Sequence, residues 1–512
     1  MNETASNISA QQLLALLPII ALGAGAVAVM LIAAFARGHR SVAGATAAVL
    51  VVTLCTLPYA AREVPTAVTT LMVMDNLALF AIALLTVTSL AIVLFAYPYF
   101  QVRAVQREEF YLLLLFALLG CLVLVSADHF ITLLLGLELL GVSLFCLAAY
   151  NARDPVTGDR SIEAGMKYLV LSGLASALLL FGMALIYAQS GQLHFAAIRQ
   201  PDAAAGTVDL VVFYGGSALL LAGLSFKLSL VPFHLWTPDV YQGAPLPVSA
   251  VIATLSKGAI FIAFVRYVVS SNSLDNTQLF NVIVIIAALS MLVGNWLALL
   301  QDNIKRLLGY SSIAHLGYLL VAFLALQGSN LALALEACAV YLAAYLATIA
   351  AAFGVVAMLS CDDAHENDML QDLTGLFWRR PLLTLAFTLA LLSLAGIPLT
   401  VGFIGKFYLF SAGANAGLWT LLGVLIIGSG IGLYYYLRLI TALFKPYAHG
   451  TADTAAVSLV PGYLAMGLLS FFLLVFGVYP QPLIEQAQAA ADNLQQRPAV
   501  AFEPVEKQRF KR

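Results

Sequence analysis

The chain has 512 residues, of which 62% are hydrophobic and only 10% charged. No soluble domain of this length has that balance, so it belongs among polytopic helical membrane proteins. A net charge of −2 offers nucleic acid nothing to bind, and the five cysteines (Cys55, Cys121, Cys146, Cys338, Cys361) form no CxxC pair that would indicate an iron–sulfur cluster or structural zinc. They read as small apolar filler in helices.

Apolar runs of about 20 residues mark spans. There are fourteen, near 11–36, 41–61, 77–99, 109–127, 129–150, 163–189, 210–233, 247–270, 278–299, 306–327, 331–360, 381–412, 417–444 and 456–479. No Lys or Arg precedes Leu13, and the run Leu13 to Phe35 exceeds a signal-peptide core, so it reads as a true first span. The run 381–412 is too long for one straight helix, and Gly396, Pro398, Gly402 and Gly405 mark a break in it. Alternate loops hold Arg37, Arg40, Arg103, Arg107, Arg153, Arg160, Lys305, Arg306, Arg379, Arg380 and Lys445. The opposite loops hold Arg62 and Arg199. That bias puts both termini on the non-cytoplasmic side. The basic tail (Arg497, Lys507, Arg509, Lys511, Arg512) runs against it, but it follows the last span and reads as disordered.

Spans seven and twelve share Gly-x-x-x-Lys (Gly223 to Lys227, Gly402 to Lys406) and a proline break, and lie five spans apart. A five-helix unit copied in tandem inserts its second copy upside down, because five is odd. Spans 4–8 and 9–13 are therefore expected to be inverted repeats with broken helices 7 and 12. The expected units are 1–108 (three helices), 109–270 and 271–445 (five each), 446–490 (the last span) and a flexible tail over 491–512.

The stretch 222–257 concentrates the chemistry. An apolar helix carries Lys227 in its middle, Pro232 breaks it, and a second apolar helix carries Lys257. A charge at the bilayer centre costs roughly 2.5–3.5 kcal/mol on insertion scales, so these lysines imply a task, and proton movement fits it best. Glu138, in the middle of span five, is expected to face the bundle and pair with Lys227. A closed pair holds the proton and an open one lets it go. The competing reading is a static ion pair that holds helices together. Lys406 extends the series, with His234, Tyr310, Ser311, Ser312 and above all His315 as links, although each of these also reads as a helix-end or packing residue. The breaks at Pro232 and Pro398 free backbone carbonyls, which at membrane depth predicts water beside Lys227 and Lys406. Arg266 and Arg438 read as snorkelling side chains, Asp75 and Asp128 as loop charges, Asp302 to Arg306 as solvated charge, Glu163 and Lys167 as an i, i+4 pair, and Glu336 as an interfacial residue. No nucleotide loop, nucleophile triad or haem ligand pair is evident.

Long strings carry a resemblance. They are Phe226-Lys-Leu-Ser-Leu-Val-Pro-Phe-His-Leu-Trp-Thr-Pro-Asp-Val-Tyr-Gln-Gly-Ala-Pro, Asn303-Ile-Lys-Arg-Leu-Leu-Gly-Tyr-Ser-Ser-Ile, Leu394-Ala-Gly-Ile-Pro-Leu-Thr-Val-Gly-Phe-Ile-Gly-Lys-Phe-Tyr and Gly432-Leu-Tyr-Tyr-Tyr-Leu-Arg. Over about residues 10–485 the chain resembles the antiporter-like N subunits of bacterial proton-pumping NADH–quinone oxidoreductase, respiratory complex I. The resemblance implies fourteen membrane helices in two inverted five-helix repeats. It implies a proton path through Glu138, Lys227, Lys257, His315 and Lys406. It implies no cofactor in this chain, with NADH, FMN, Fe–S clusters and quinone in partner subunits. It implies a place in the bacterial inner membrane beside other antiporter-like and small membrane subunits. A multi-subunit cation/proton antiporter or membrane-bound hydrogenase subunit is the alternative, and a membrane scaffold is the bland one.

Overall fold

A computed structural model describes residues 9–103, 106–152, 157–198, 200–201, 206–361, 366–446 and 459–495. Arg153, Arg199 and the basic tail from Arg497 onward lie outside the described residues. After a turn of helix at Ala10–Ala15 come α1 (Leu17–Phe35), α2 (His39–Ala60), α3 (Asn76–Val102), α4 (Glu108–Val125), α5 (Phe130–Ala148) and α6 (Gly158–Ser190). A first broken pair follows, α7 (Thr207–Lys227) and α8 (Trp236–Gly243). Next are α9 (Leu246–Ser271), α10 (Thr277–Leu299), α11 (Ile304–Leu324) and α12 (Leu331–Leu359). A second broken pair, α13 (Pro381–Ala395) and α14 (Val401–Asn415), leads to α15 (Trp419–Leu443), α16 (Val460–Val478) and α17 (Gln481–Gln495).

Among the described residues thirteen helices are long and apolar enough to cross a membrane. The run 381–412, counted above as one of fourteen spans, is not among them. It is divided into α13 and α14, each too short to span alone.

Two elements depart from the sequence reading. Thr66–Thr69 and Met72–Met74 form an antiparallel hairpin within an otherwise helical chain, because the run Thr-Ala-Val-Thr-Thr-Leu-Met-Val-Met is rich in β-branched residues. The unit ending at 490 also holds a second helix, α17, which continues to Gln495. It packs Leu483, Ala487, Ala490 and Ala491 inward, and its Ala489 carbonyl accepts from Asn76 Nδ2 at 3.0 Å.

Helix starts follow ordinary capping chemistry. Asp75, Asn276, Asn303 and Asn330 accept from the first turns of α3, α10, α11 and α12. The outer surface is apolar, with Leu135, Phe181, Ile285, Ile427 and Phe471 exposed as lipid requires. The central stretches of α9, α11 and α12 are buried throughout, so the polar groups there face protein, whereas Arg306 and Glu336 near the helix starts are only half-buried. The helices α6 and α7 touch backbone to backbone. A Cβ added at Gly182 would lie 2.6 Å from the Gly216 carbonyl, and one at Gly223 would lie 2.8 Å from the Ala175 carbonyl.

Candidate proton-transfer site

The first break places Lys227 as the last residue of α7 rather than mid-helix. Ser229 turns into the left-handed region (φ 61°), and the Ser229 and Leu230 N–H groups donate to the Phe226 and Ser225 carbonyls. This is a Schellman closure. It ends the helix before Pro232, which lies in the linker together with His234. Trp236 Nε1 donates to the same Phe226 carbonyl at 3.1 Å, across the break. The second break repeats the closure at Gly396 (φ 80°), with Gly396 and Ile397 donating to Ser393 and Leu392. Pro398 again follows the helix end.

Lys227 is buried, and its Nζ donates to Ser172 Oγ on α6 at 2.6 Å. The expected pair with Glu138 is open. No ion pair joins them among the described residues, and Glu138 Oε1 is buried without a partner. The two are nonetheless neighbours, since a Cβ added at Gly141, one turn along α5 from Glu138, would lie 3.9 Å from Lys227 Nζ.

Lys257 is completely enclosed and donates to Ser312 Oγ on α11 at 2.6 Å. A π-helical turn over Ile252–Ser256, which carried no sequence signal, immediately precedes it. Such turns leave carbonyls out of register with the helix, and the Ala253 carbonyl accepts from Tyr345 at 3.2 Å. Ser312 also meets the Tyr345 hydroxyl.

Deeper in the same core, His315 lies between the hydroxyls of Tyr341 and Tyr436, and Ser311 contacts Tyr436. Lys406 reaches back across the second break. Its Nζ donates to the Ala395 carbonyl at 2.8 Å and to Ser429 Oγ at 2.6 Å, 5.4 Å from the centre of the Tyr318 ring.

Of the expected links, Ser311, Ser312 and His315 join this seam. The Tyr310 hydroxyl makes no hydrogen bond among the described residues, and neither His234 nitrogen has a partner at hydrogen-bond geometry. Sequence reasoning missed Ser172, Ser429, Tyr341, Tyr345 and Tyr436. A serine or tyrosine inside an apolar helix gives no signal until its neighbours are known.

The flanking charges also differ from expectation. Arg266 does not snorkel. It is fully buried, and its guanidinium grips both Asp75 oxygens at 2.6 and 2.7 Å. Asp128 lies 3.2 Å from His194. Lys305 is buried rather than solvated and pairs with Glu366 at 2.6 Å. Glu366 also accepts from Tyr99 and from the Leu246 N–H at the start of α9. Burial opposes the Glu366 charge, but Lys305 and Arg103 outweigh it and hold the carboxyl below its ordinary value. Arg306 and Lys167 both pair with Asp239, and Lys167 also makes the expected pair with Glu163 at 2.6 Å. Arg438 meets the Gln301 carbonyl and Asp302.

The comparisons with known proteins match this architecture. The family described as "NADH:quinone oxidoreductase/Mrp antiporter, TM" matches residues 127–432. A Methylococcus capsulatus protein described as NADH-quinone oxidoreductase subunit N is 46% identical over 493 residues, covering 96% of this chain and 97% of its own. The chain belongs to the subunit N family of NADH-quinone oxidoreductases. Among solved structures, a chain of respiratory complex I from Thermus thermophilus with bound aureothin superposes with a TM-score of 0.76. It is 33% identical and covers 92% of this chain and 99% of its own. A chain of the Mrp complex from a Dietzia species has a TM-score of 0.80 at 21% identity, covering 94% of this chain and 97% of its own. That likeness shows a shared fold. The subunit N relationship, at much higher identity, does not favour the antiporter alternative.

Proposed function

We propose that this chain works as a proton-translocating subunit in the membrane arm of a bacterial NADH–quinone oxidoreductase, beside other antiporter-like and small membrane subunits. Its units 109–270 and 271–445 act as two inverted half-channels in the inner membrane, with both termini on the non-cytoplasmic side. NADH, FMN, Fe–S clusters and quinone belong to partner subunits, and quinone reduction there drives the protons here.

One observation carries the reading: Lys227 and Lys257 are buried and Lys406 is half-buried, and each donates to a serine hydroxyl rather than to a carboxylate. A static scaffold would pair such charges, because an unpaired buried charge is costly. A hydroxyl instead satisfies an amine in either protonation state, accepting from the ammonium and donating to the neutral form. Glu138, with an unpartnered buried oxygen beside Lys227, supplies the alternative partner. A signal from a neighbouring subunit swings Lys227 between Ser172 and Glu138. The proton then passes by way of Lys257 and His315 toward Lys406 and is released on the non-cytoplasmic side.

The test is NADH-driven acidification of inside-out vesicles carrying Lys227→Ala, normalised to assembled complex and read beside quinone reduction. Both rates are expected to fall while assembly holds. Wild-type rates would make Lys227 structural and overturn the reading.

A further inference from the structure

His315 is held at both ends by phenols. Nδ1 lies 2.7 Å from the Tyr341 hydroxyl of α12, and Nε2 lies 3.2 Å from the Tyr436 hydroxyl of α15. The Tyr436 hydroxyl is itself 2.5 Å from Ser311 Oγ. A histidine whose ring nitrogen meets a carbonyl or carboxylate has its tautomer fixed by that acceptor. Here neither partner is acceptor-only, because a phenol both donates and accepts. The same heavy atoms therefore satisfy either tautomer once the hydroxyl hydrogens turn. Tyr345 differs: its ring also stacks on His315, with centroids 5.6 Å apart, but its hydroxyl donates to the Ala253 carbonyl. Its hydrogen is committed to an acceptor that has nothing to return.

We infer that Tyr341 and Tyr436 are proton-carrying groups on the two sides of His315, so that Tyr341, His315, Tyr436 and Ser311 pass a proton without any charged partner. The inference rests on the path proposed above. Tyr341 oxygen takes a proton from the side away from His315 while its own hydrogen moves to Nδ1. The Nε2 hydrogen moves to Tyr436 oxygen, the Tyr436 hydrogen moves to Ser311 Oγ, and Ser311 releases its hydrogen onward. Every N–H or O–H bond broken is matched by one formed, and each group ends neutral. Tyr341, His315, Tyr436 and Ser311 are all buried, which shields the chain of donors from lipid and bulk water.

The test uses the assembled complex in inside-out vesicles, with NADH-driven acidification per complex measured in H2O and in D2O. Tyr341→Phe and Tyr436→Phe each keep the ring and remove the hydroxyl. Each is expected to slow acidification by roughly tenfold or more and to raise the solvent isotope effect above that of wild type. Because they lie on opposite sides of His315, either one suffices if the other does not assemble. His315→Ala is measured alongside. Wild-type acidification in both phenol variants with His315→Ala impaired overturns the inference and leaves the path standing. Slower acidification with an unchanged isotope effect also overturns it, since a packing role predicts that result. Wild-type acidification in His315→Ala removes the path through this residue, and the inference with it.

Discussion

The two helix breaks solve one problem in opposite sequence order. At the first, the lysine precedes the linker and is itself the final helical residue. At the second, the lysine follows the linker and folds back over it, onto the last carbonyl of α13. Both ammonium groups thus sit at the C-terminal, electronegative end of a half-helix, where a cation gains about 0.3–1 kcal/mol, more when partly buried. The order of lysine and break along the chain matters less than which helix end the ammonium reaches. The breaks differ in grip. Lys406 has a carbonyl, which only accepts, plus a hydroxyl, whereas Lys227 has one hydroxyl and a vacant carboxylate nearby. The first lysine is built to change partners and the second to hold its place.

The largest effect is expected where that grip depends on a missing side chain. A Cβ added at Gly396 would lie 2.6 Å from Lys406 Cδ, at a left-handed position that disfavours any Cβ. Gly396→Ala should push Lys406 off the Ala395 carbonyl and cut acidification per complex roughly tenfold or more, as Lys406→Met should. A wild-type rate would mean that the carbonyl contact is incidental. Ser172→Ala comes next. It removes the hydroxyl Lys227 holds, a bond to a charged group worth about 1.5–3 kcal/mol, and should slow acidification roughly tenfold. Ser429→Ala leaves Lys406 its carbonyl, so a smaller, few-fold loss is expected. Equal losses in the two serine variants would erase the contrast between the breaks. Smallest is Ser229→Gly, which relieves a left-handed serine. Thermal unfolding of the complex should show this chain stabilised by about 0.5–1 kcal/mol or less.

The lysines and Glu138 were legible in the sequence because a charge inside an apolar run stands out against its insertion cost. The breaks were legible through Pro232, Gly396 and Pro398, although the prolines follow the helix ends and do not cause them. What stayed hidden depends on partners far along the chain. Arg266 looked like a snorkelling side chain because Asp75 lies 191 residues away. Lys305 looked solvated because Glu366 reaches it from a distant loop. The hydroxyls of Ser172, Ser429, Tyr341 and Tyr436 were silent because serine and tyrosine cost little in a helix whether or not they touch a base. The π-turn before Lys257 has no residue signature at all, since it is a matter of hydrogen-bond register.

The glycine seam between α6 and α7 has a mechanical consequence. With main chains touching at Gly182, Gly216 and Gly223, there is no clearance for one helix to roll or slide on the other. Ser172 and Lys227 are therefore mounted on what is in effect a single casting. Between α6 and α7, then, Lys227 can leave Ser172 only by a rotation of its own methylenes. The stroke on that side is set by the reach of one side chain, while Glu138 stands on α5, outside the casting.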